Sequence, residues 1–451
     1  MKRYRSPHFV SFSHAVPNFL TGKDSPRAFL ERCLETIAKR EKTVKAFVAL
    51  NVEGARAAAD ASSKRYKAGK PLSSMDGCPV GVKDIIATAD MPTQMNSPAF
   101  AGWQSGQDAA CVQALRDGGA VILGKTVTTE FAIGYSGPTT NPHDRTRTPG
   151  GSSSGSAAAV GAGMVPVALG TQTQGSTLRP ASFCGAVGFK STLGALPLGG
   201  VHPLSVTHDH LGIIGSTLED VWRSASHVSL SIGSPGQPFL NGASAEPPPP
   251  AKPRRLVRLY LRGWKEVDAF TRDVFEELIS ELKQDGVGIL TRENTPEVKE
   301  LELKLDDGVD GSLDMLAYEM KWPYEDYIAR WGEQIGERIR GLIKRANEIT
   351  PQQYEALLNS QRAIRADVRK VAEGTDGFIF PAASGVAPAG LHWTGSRTFL
   401  AYWSWVGFPA FSLPVMQVHG LPFGLQLAGV GGGDGQLCAT AHWMMQEFGG
   451  L

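Results

Sequence analysis

Three positions in this chain carry groups that could move a proton and form a covalent bond if folding brought them together. Lys83 lies inside the apolar run CPVGVKDII. Ser152 follows two glycines in PGGSSSGS, and Ser176 closes GTQTQGS at the end of another apolar stretch. Taken singly, each has a plain structural reading. A lysine beside Asp84 is ordinarily a surface residue or a salt-bridge partner. Hydroxyls in a Gly/Ser loop cap a following helix, and a serine after glycine is a turn residue. Taken together they point to acyl transfer. A lysine removed from water loses its charge readily, because desolvation disfavours the ammonium form. The neutral amine can then draw a proton through one hydroxyl from a second, nucleophilic one. Successive backbone N–H groups of a glycine-rich turn can bind the developing oxyanion. No histidine or metal is required.

Among the elements that must position these residues, Ser25-Pro26 ahead of RAFLERCLETIAKRE reads as a capped helix start with proline at the first helical position. The Ala-rich stretch VEGARAAADASSKRYKAG continues in helix to Gly69, so residues 25–70 form an N-terminal helical segment. Residues 78–86 read as a buried strand carrying one lysine, residues 112–119 as helix, and residues 120–123 as a strand ended by Gly124. Residues 149–163 are a Gly/Ser loop running into a small-residue helix, and VPVALGTQTQGSTLRP is a strand entering a tight turn. Residues 231–255, rich in Pro, Gly and Ser, read as an exposed linker or excursion. Beyond it come a strand (LVRLYL), a helix with Val274, Phe275, Leu278, Ile279 and Leu282 on one face, polar helices over roughly 315–373, and a strand in GFIFPAA. Strands alternating with helices give an α/β layered fold.

The 45 basic and 44 acidic side chains nearly cancel, which leaves no electrostatic footprint for nucleic acid or an anionic membrane. The basic start MKRYRSPHFV is followed by no apolar run, so neither a signal peptide nor a transmembrane span is expected. Five dispersed cysteines without CxxC spacing argue against a disulfide scaffold or structural zinc. A cytoplasmic protein without cofactor or metal is expected.

The motifs carry a specific likeness. GVKD, then PGGSSxGSAAAV, then GTxTxGSxxRPAxFCGxVGFK resembles the amidase signature family of serine hydrolases. The intervals agree as well, with 69 residues from Lys83 to Ser152 and 24 from Ser152 to Ser176. TTEFAIGYSGPTTNPHD upstream and YEALLNSQRAIRADV, FIFPAA, VGFPAFSLPV and GLPFGLQLAG downstream extend the resemblance over roughly residues 25–445, most weakly over 231–345. It implies an amidase-signature fold, a central mixed β-sheet flanked by helices on both faces, in one domain over residues 1–451. It also implies a Ser–cis-Ser–Lys triad: Ser176 as nucleophile, Ser152 as bridging serine behind a cis Gly151–Ser152 bond, and Lys83 as terminal base. By the same matching, the backbone N–H groups of Thr173, Gln174, Gly175 and Ser176 form the oxyanion hole. The implied reaction is hydrolysis of a small amide, anilide or carbamate, with water as second substrate. Family members often form dimers, which leaves a homodimer open.

Three substitutions depart from the family pattern. GTQTQGS stands where GTDTGGS is usual, so Gln172 replaces aspartate and Gln174 replaces glycine, and Ser154 replaces a glycine of the serine loop. Gln172 keeps hydrogen-bonding ability but drops a charge. Gln174 is strained if the position needs positive φ; otherwise it places an amide beside the reacting carbonyl. Arg179, three residues past the nucleophile, is either a structural hydrogen-bond partner or a contact for a substrate carboxylate or carbonyl. Trp393, Trp403 and Trp405 form an aromatic cluster in sequence, for core packing or, at Trp393, a pocket wall. Tyr135 and Ile133 are candidates for the acyl side. His208-Asp209-His210 is too compact for a metal site without further ligands, so structural or substrate-contact roles are expected. The glycine-rich stretch 150–163 lacks the spacing of a nucleotide-binding loop. Two rival readings stay open: an amidotransferase A-subunit working with partner subunits, and a catalytically inactive scaffolding relative.

Overall fold

The structure of the chain, a computed structural model, describes residues 2–232 and 239–450. Among them eleven strands form one mixed sheet: β1 (Phe47–Leu50), β2 (Pro79–Lys83), β3 (Val121–Thr126), β4 (Val167–Gln172), β5 (Val187–Lys190), β6 (His210–Gly215), β7 (Arg255–Arg258), β8 (Gly288–Leu290), β9 (Phe378–Pro381), β10 (Ala410–Val418) and β11 (Leu421–Ala428). Their order across the sheet is β1-β3-β2-β4-β6-β5-β10-β11-β9-β7-β8. β2 runs parallel to both β3 and β4. The carboxyl ends of these three neighbours therefore open onto the same side of the sheet.

Alternation along the strands sorts side chains between two cores, because successive residues of a strand point to opposite faces. Ile122, Val167, Leu169 and Ile213 belong to one apolar cluster, whereas Val121, Leu123, Ala168 and Ile214 belong to another. Helices cover both. Val221, Trp222 and Ala225 of the helix Leu218–Ser231 pack in the first cluster. Leu30, Ile37 and Val44 of the helix Pro26–Val44, with Ala157 to Val160 of the helix Ser154–Gly161, pack in the second. A sheet clothed this way on both faces explains why its central strands read as continuous apolar runs.

The expected N-terminal helix begins where its cap predicts. The Ser25 side chain accepts from the Ala28 N–H, with Pro26 first in the helix. The segment 25–70 is not helical throughout, however. β1 interrupts it, and helix resumes over Val52–Lys67. β1 also corrects the reading of Gly124 as a strand terminator. β3 runs through Gly124 to Thr126, and β1 crosses so closely that a Cβ on Gly124 would lie 2.5 Å from the Ala49 carbonyl oxygen. Here glycine makes room for a neighbouring strand.

Of the expected excursion 231–255, residues 233–238 lie outside the described residues. The part from 239 onward is pinned rather than free: Leu240 is buried, and the Ala251 N–H donates to the Ala439 carbonyl. The helix Ala269–Gln284 buries the five apolar residues named for it. All five cysteines are buried and free. Among the described residues no helix is long and apolar enough to cross a membrane.

Candidate active site

Lys83 is the last residue of β2, and its side chain is wholly buried. The Nζ donates to Ser152 Oγ at 2.7 Å and to Thr171 Oγ1, on the adjacent β4, at 2.8 Å. Burial drives its pKa well below the ordinary lysine range, against the opposing charge of Asp209; the environment favours the uncharged amine. Lys83 is not the ion partner of its neighbour. Asp84 faces Lys125, 3.4 Å away.

Ser152 follows a cis peptide bond between Gly151 and Ser152. Hydrogen bonds hold the loop on every side. The Thr129 N–H donates to the Ser152 carbonyl (3.2 Å), and the Arg179 Nη2 donates to the Gly151 carbonyl (2.6 Å). Ser153 Oγ receives the Thr171 N–H at 3.3 Å. Ser154, at a glycine position of the family pattern, donates from Oγ to the Val127 carbonyl at 3.2 Å as it opens the helix Ser154–Gly161. The Ser153 N–H donates to the Ser176 carbonyl (3.2 Å), which ties the two serine-bearing turns together.

Ser176 sits in the turn between β4 and the helix Leu178–Cys184. The turn is sharp because Gly175 adopts φ +118°, and a Cβ there would meet the Leu400 Cβ at 2.5 Å. Among the described residues, nothing accepts a hydrogen bond from the backbone N–H of Gln174, Gly175 or Ser176. These donors sit beside a cavity of about 380 Å³ whose wall includes Ser152, Thr173, Gln174 and Ser176.

Gln172 replaces the family's aspartate without leaving its neighbours unpaired. Its Oε1 accepts from the Thr177 and Leu178 N–H groups, both at 3.0 Å, which caps the helix that follows Ser176. Its Nε2 donates to Ser404 Oγ at 3.0 Å. Gln174 is not among the residues with positive φ, so no glycine conformation is demanded there. Its amide reaches sideways: Nε2 donates to Ser312 Oγ (3.2 Å), and Oε1 accepts from Arg397 Nη1 (2.7 Å).

The His208-Asp209-His210 stretch supports the turn. Asp209 Oδ1 accepts from Thr173 Oγ1 at 2.6 Å, and its Oδ2 accepts from the Leu204 and Ser205 N–H groups. Burial pushes its pKa up to about 6, against these hydrogen bonds. Arg179 lines the cavity, but its Nη atoms serve backbone carbonyls, those of Ser396 and Gly151, and Thr394 Oγ1. Ile133 and Trp393 lie on the cavity wall, Trp393 being 57% exposed, whereas Trp403 and Trp405 are core residues. The aromatic cluster of the sequence is thus split between wall and interior. Tyr135 is exposed and outside the residues that line the cavity.

Sequence reasoning missed Thr171 as a partner of Lys83, although its place two residues before Thr173 on an apolar strand was a usable signal. It also missed Leu313, Leu316, Arg338 and Arg397 on the cavity wall. These come from distant segments, and nothing local sets Arg338 apart in its arginine-rich helix Glu337–Asn347.

A buried amine, its hydroxyl partner and a second serine-bearing turn thus lie together beside one cavity. Residues 28–438 match the family model described as Amidase, and the chain belongs to that family, whose enzymes act on carbon–nitrogen bonds. It is 39% identical over 220 residues to the A-subunit of the glutamyl-tRNA(Gln) amidotransferase of Chloroflexus aggregans, in an alignment spanning 48% of this chain and 45%, less than half, of that relative. It is 32% identical to the corresponding protein of Symbiobacterium thermophilum over 95% of this chain and 94% of the relative. A crystal structure of an amidase superposes with a TM-score of 0.85 at 27% identity, covering 98% of this chain and all of that one (100%). The amidase fold is shared over nearly the whole chain.

Proposed function

We propose that this chain hydrolyses amide-type bonds in small molecules by forming an acyl-enzyme on Ser176. The observation that carries the reading is the 2.7 Å hydrogen bond from the buried Lys83 amine to Ser152, on the wall of the cavity that Ser176 shares. Ser176 Oγ attacks the carbonyl carbon while its proton passes to Ser152 Oγ, whose own proton goes to the neutral Lys83 amine. The negative charge that develops on the carbonyl oxygen is met by backbone N–H groups of residues 173–176; removing one such donor costs about 3–4 kcal/mol in comparable sites. Return of the proton through the same row to the leaving nitrogen releases the amine and leaves the acyl group on Ser176. Water then attacks the ester, gives its proton to the row, and frees the acid.

Arg179 and Asp209 act as positioning residues in this scheme. Arg179 holds the Gly151 carbonyl ahead of Ser152, and Asp209 holds Thr173 of the turn. Labelling with a fluorophosphonate probe, read by peptide mass spectrometry, tests the assignment. Modification is expected at Ser176, absent from Ser176→Ala and strongly slowed in Lys83→Ala and Ser152→Ala. Full amidase activity in Ser176→Ala would reject the scheme.

The full-length likeness to one component of an amidotransferase favours one second reading, in which glutamine is the amide and a partner protein receives the ammonia. A panel of para-nitroanilides, short amides and carbamates separates the two. A free-standing hydrolase turns over members of that panel without any partner; an amidotransferase component releases ammonia from glutamine only when its partners are added.

A further inference from the structure

The cavity beside Ser176 is unevenly charged. Arg179, Arg338 and Arg397 all lie on its wall, and among the described residues no aspartate or glutamate does. The three guanidinium groups act on one another. The charges of Arg338 and Arg397, after burial itself, lower the pKa of Arg179, and Arg338 does the same to Arg397. Like charges gathered at a partly enclosed site repel, and their repulsion is relieved when an anion enters.

The three arginines differ in what they have left to offer. Arg179 is buried and its terminal nitrogens are taken by carbonyls and Thr394. Arg397 is half-buried, and among the described residues only its Nη1 is engaged, by the neutral Gln174 amide oxygen. The carboxylate whose field reaches Arg397 most, Asp310, is already held by Arg262 Nη1 at 2.9 and 3.0 Å. Arg338 is exposed at the cavity, and among the described residues it has no hydrogen-bond or ion-pair partner. A guanidinium presents several donors in a planar fork that fits a carboxylate with two parallel hydrogen bonds. Gln174, which stands where the family has glycine, orients one of these forks.

We infer that the substrate is a small amide bearing a carboxylate, and that Arg338 and Arg397 bind this group while Ser176 attacks the amide. The inference rests on the proposed role of Ser176 and names the substrate class for it. Its specificity element is the pair Arg397–Gln174, and Arg338 supplies a second charge from a separate helix. Neutral amides of the same size leave both guanidinium groups without a counter-charge on the cavity wall.

Paired substrates test this. Glutaric acid mono-para-nitroanilide is compared with its methyl ester, which places the charge on the acyl side, and 4-acetamidobenzoate with its methyl ester, which places it on the leaving side. The carboxylate member of at least one pair is expected to have kcat/KM tenfold or more above its ester. That ratio should fall toward one in Arg397→Met and Arg338→Met, and recover in part in Arg397→Lys. Calorimetry on Ser176→Ala protein reads the same preference without turnover, using glutaramate against glutaramide. Binding of the anion by at least tenfold over the neutral amide, lost in the Arg397→Met and Arg338→Met backgrounds, supports the inference even if Ser176 proves not to be the nucleophile. Esters and neutral amides that match or exceed their carboxylates in both measurements, or failure of every carboxylate to bind or react, would overturn it.

Discussion

At Lys83 two environments act on one amine. Burial removes the water that would stabilise the ammonium ion, and the charge of Asp209 partly restores it. The base form is therefore available below the ordinary lysine pKa of about 10.4, and on the proposed scheme activity should be lost as pH falls through the depressed value, because an ammonium cannot accept the Ser152 proton. In a pH profile of kcat/KM with an uncharged anilide, Asp209→Asn removes the opposing charge and should move this acid limb to lower pH. The comparison belongs above pH 6, since Asp209 itself takes up a proton at about 6; an unmoved limb would show that Asp209 does not act on the amine. Gln174 makes a different kind of prediction. Its φ is ordinary and its side chain touches Arg397 and Ser312 rather than Lys83, Ser152 or Ser176. Gln174→Gly should keep the fold and raise KM for a carboxylate-bearing substrate more than it lowers kcat. A fall confined to kcat would instead put the side chain in the chemical step.

The helix Leu178–Cys184 starts two residues past Ser176, so whatever fixes its first turn also fixes Ser176. Gln172 does this with one amide: two N–H groups on its oxygen and Ser404 on its nitrogen, all buried. Gln172→Ala leaves those groups unpaired and should cost roughly 1–3 kcal/mol of stability in urea unfolding; a variant as stable as the parent would mean that water or a backbone shift replaces the amide. At this scale the sequence was legible where the signal was local. The Ser25 cap, the apolar strand around Lys83 and the small-residue helix after Ser152 each follow from a few adjacent residues. β1 was not legible. Four residues with two exposed side chains give too short a pattern to separate from the helices around them, and Gly124 carried a packing meaning visible only once β1 lay beside it. Triad candidates could be named from the apolar run around Lys83 and the glycine-rich turns around the two serines, and their roles came with the family resemblance. Arg338 and Arg397 could not, because their meaning lies in sharing a cavity wall on which, among the described residues, no carboxylate sits, a property of the assembled cavity rather than of any stretch of chain.

Across the whole molecule, Lys190 anchors β5 to the segment ahead of β10 through a hydrogen bond from its Nζ to the Phe408 carbonyl. Burial brings its pKa down to about 7, against the charge of Asp434. In the unfolded chain a lysine holds its proton up to about pH 10.4. Between about pH 7 and 10.4 the unfolded state thus binds more protons at this site than the folded one, and stability contributed by this group rises with pH across that window; below about pH 7 both states are protonated and the slope vanishes. Lys190→Met should flatten the gain in urea midpoint between pH 7 and 9.5, and a variant with the parent's full gain would refute the linkage. The division of the cavity wall has a broader consequence. Lys83, Ser152, Thr171 and Ser176 come from one continuous half of the chain, whereas Leu313, Leu316, Arg338, Trp393 and Arg397 come from another. On the proposed scheme bond cleavage and molecular choice reside on separate tracts, so exchanging the later tract with that of a relative should hand over a new diet while the cutting tool stays as it was.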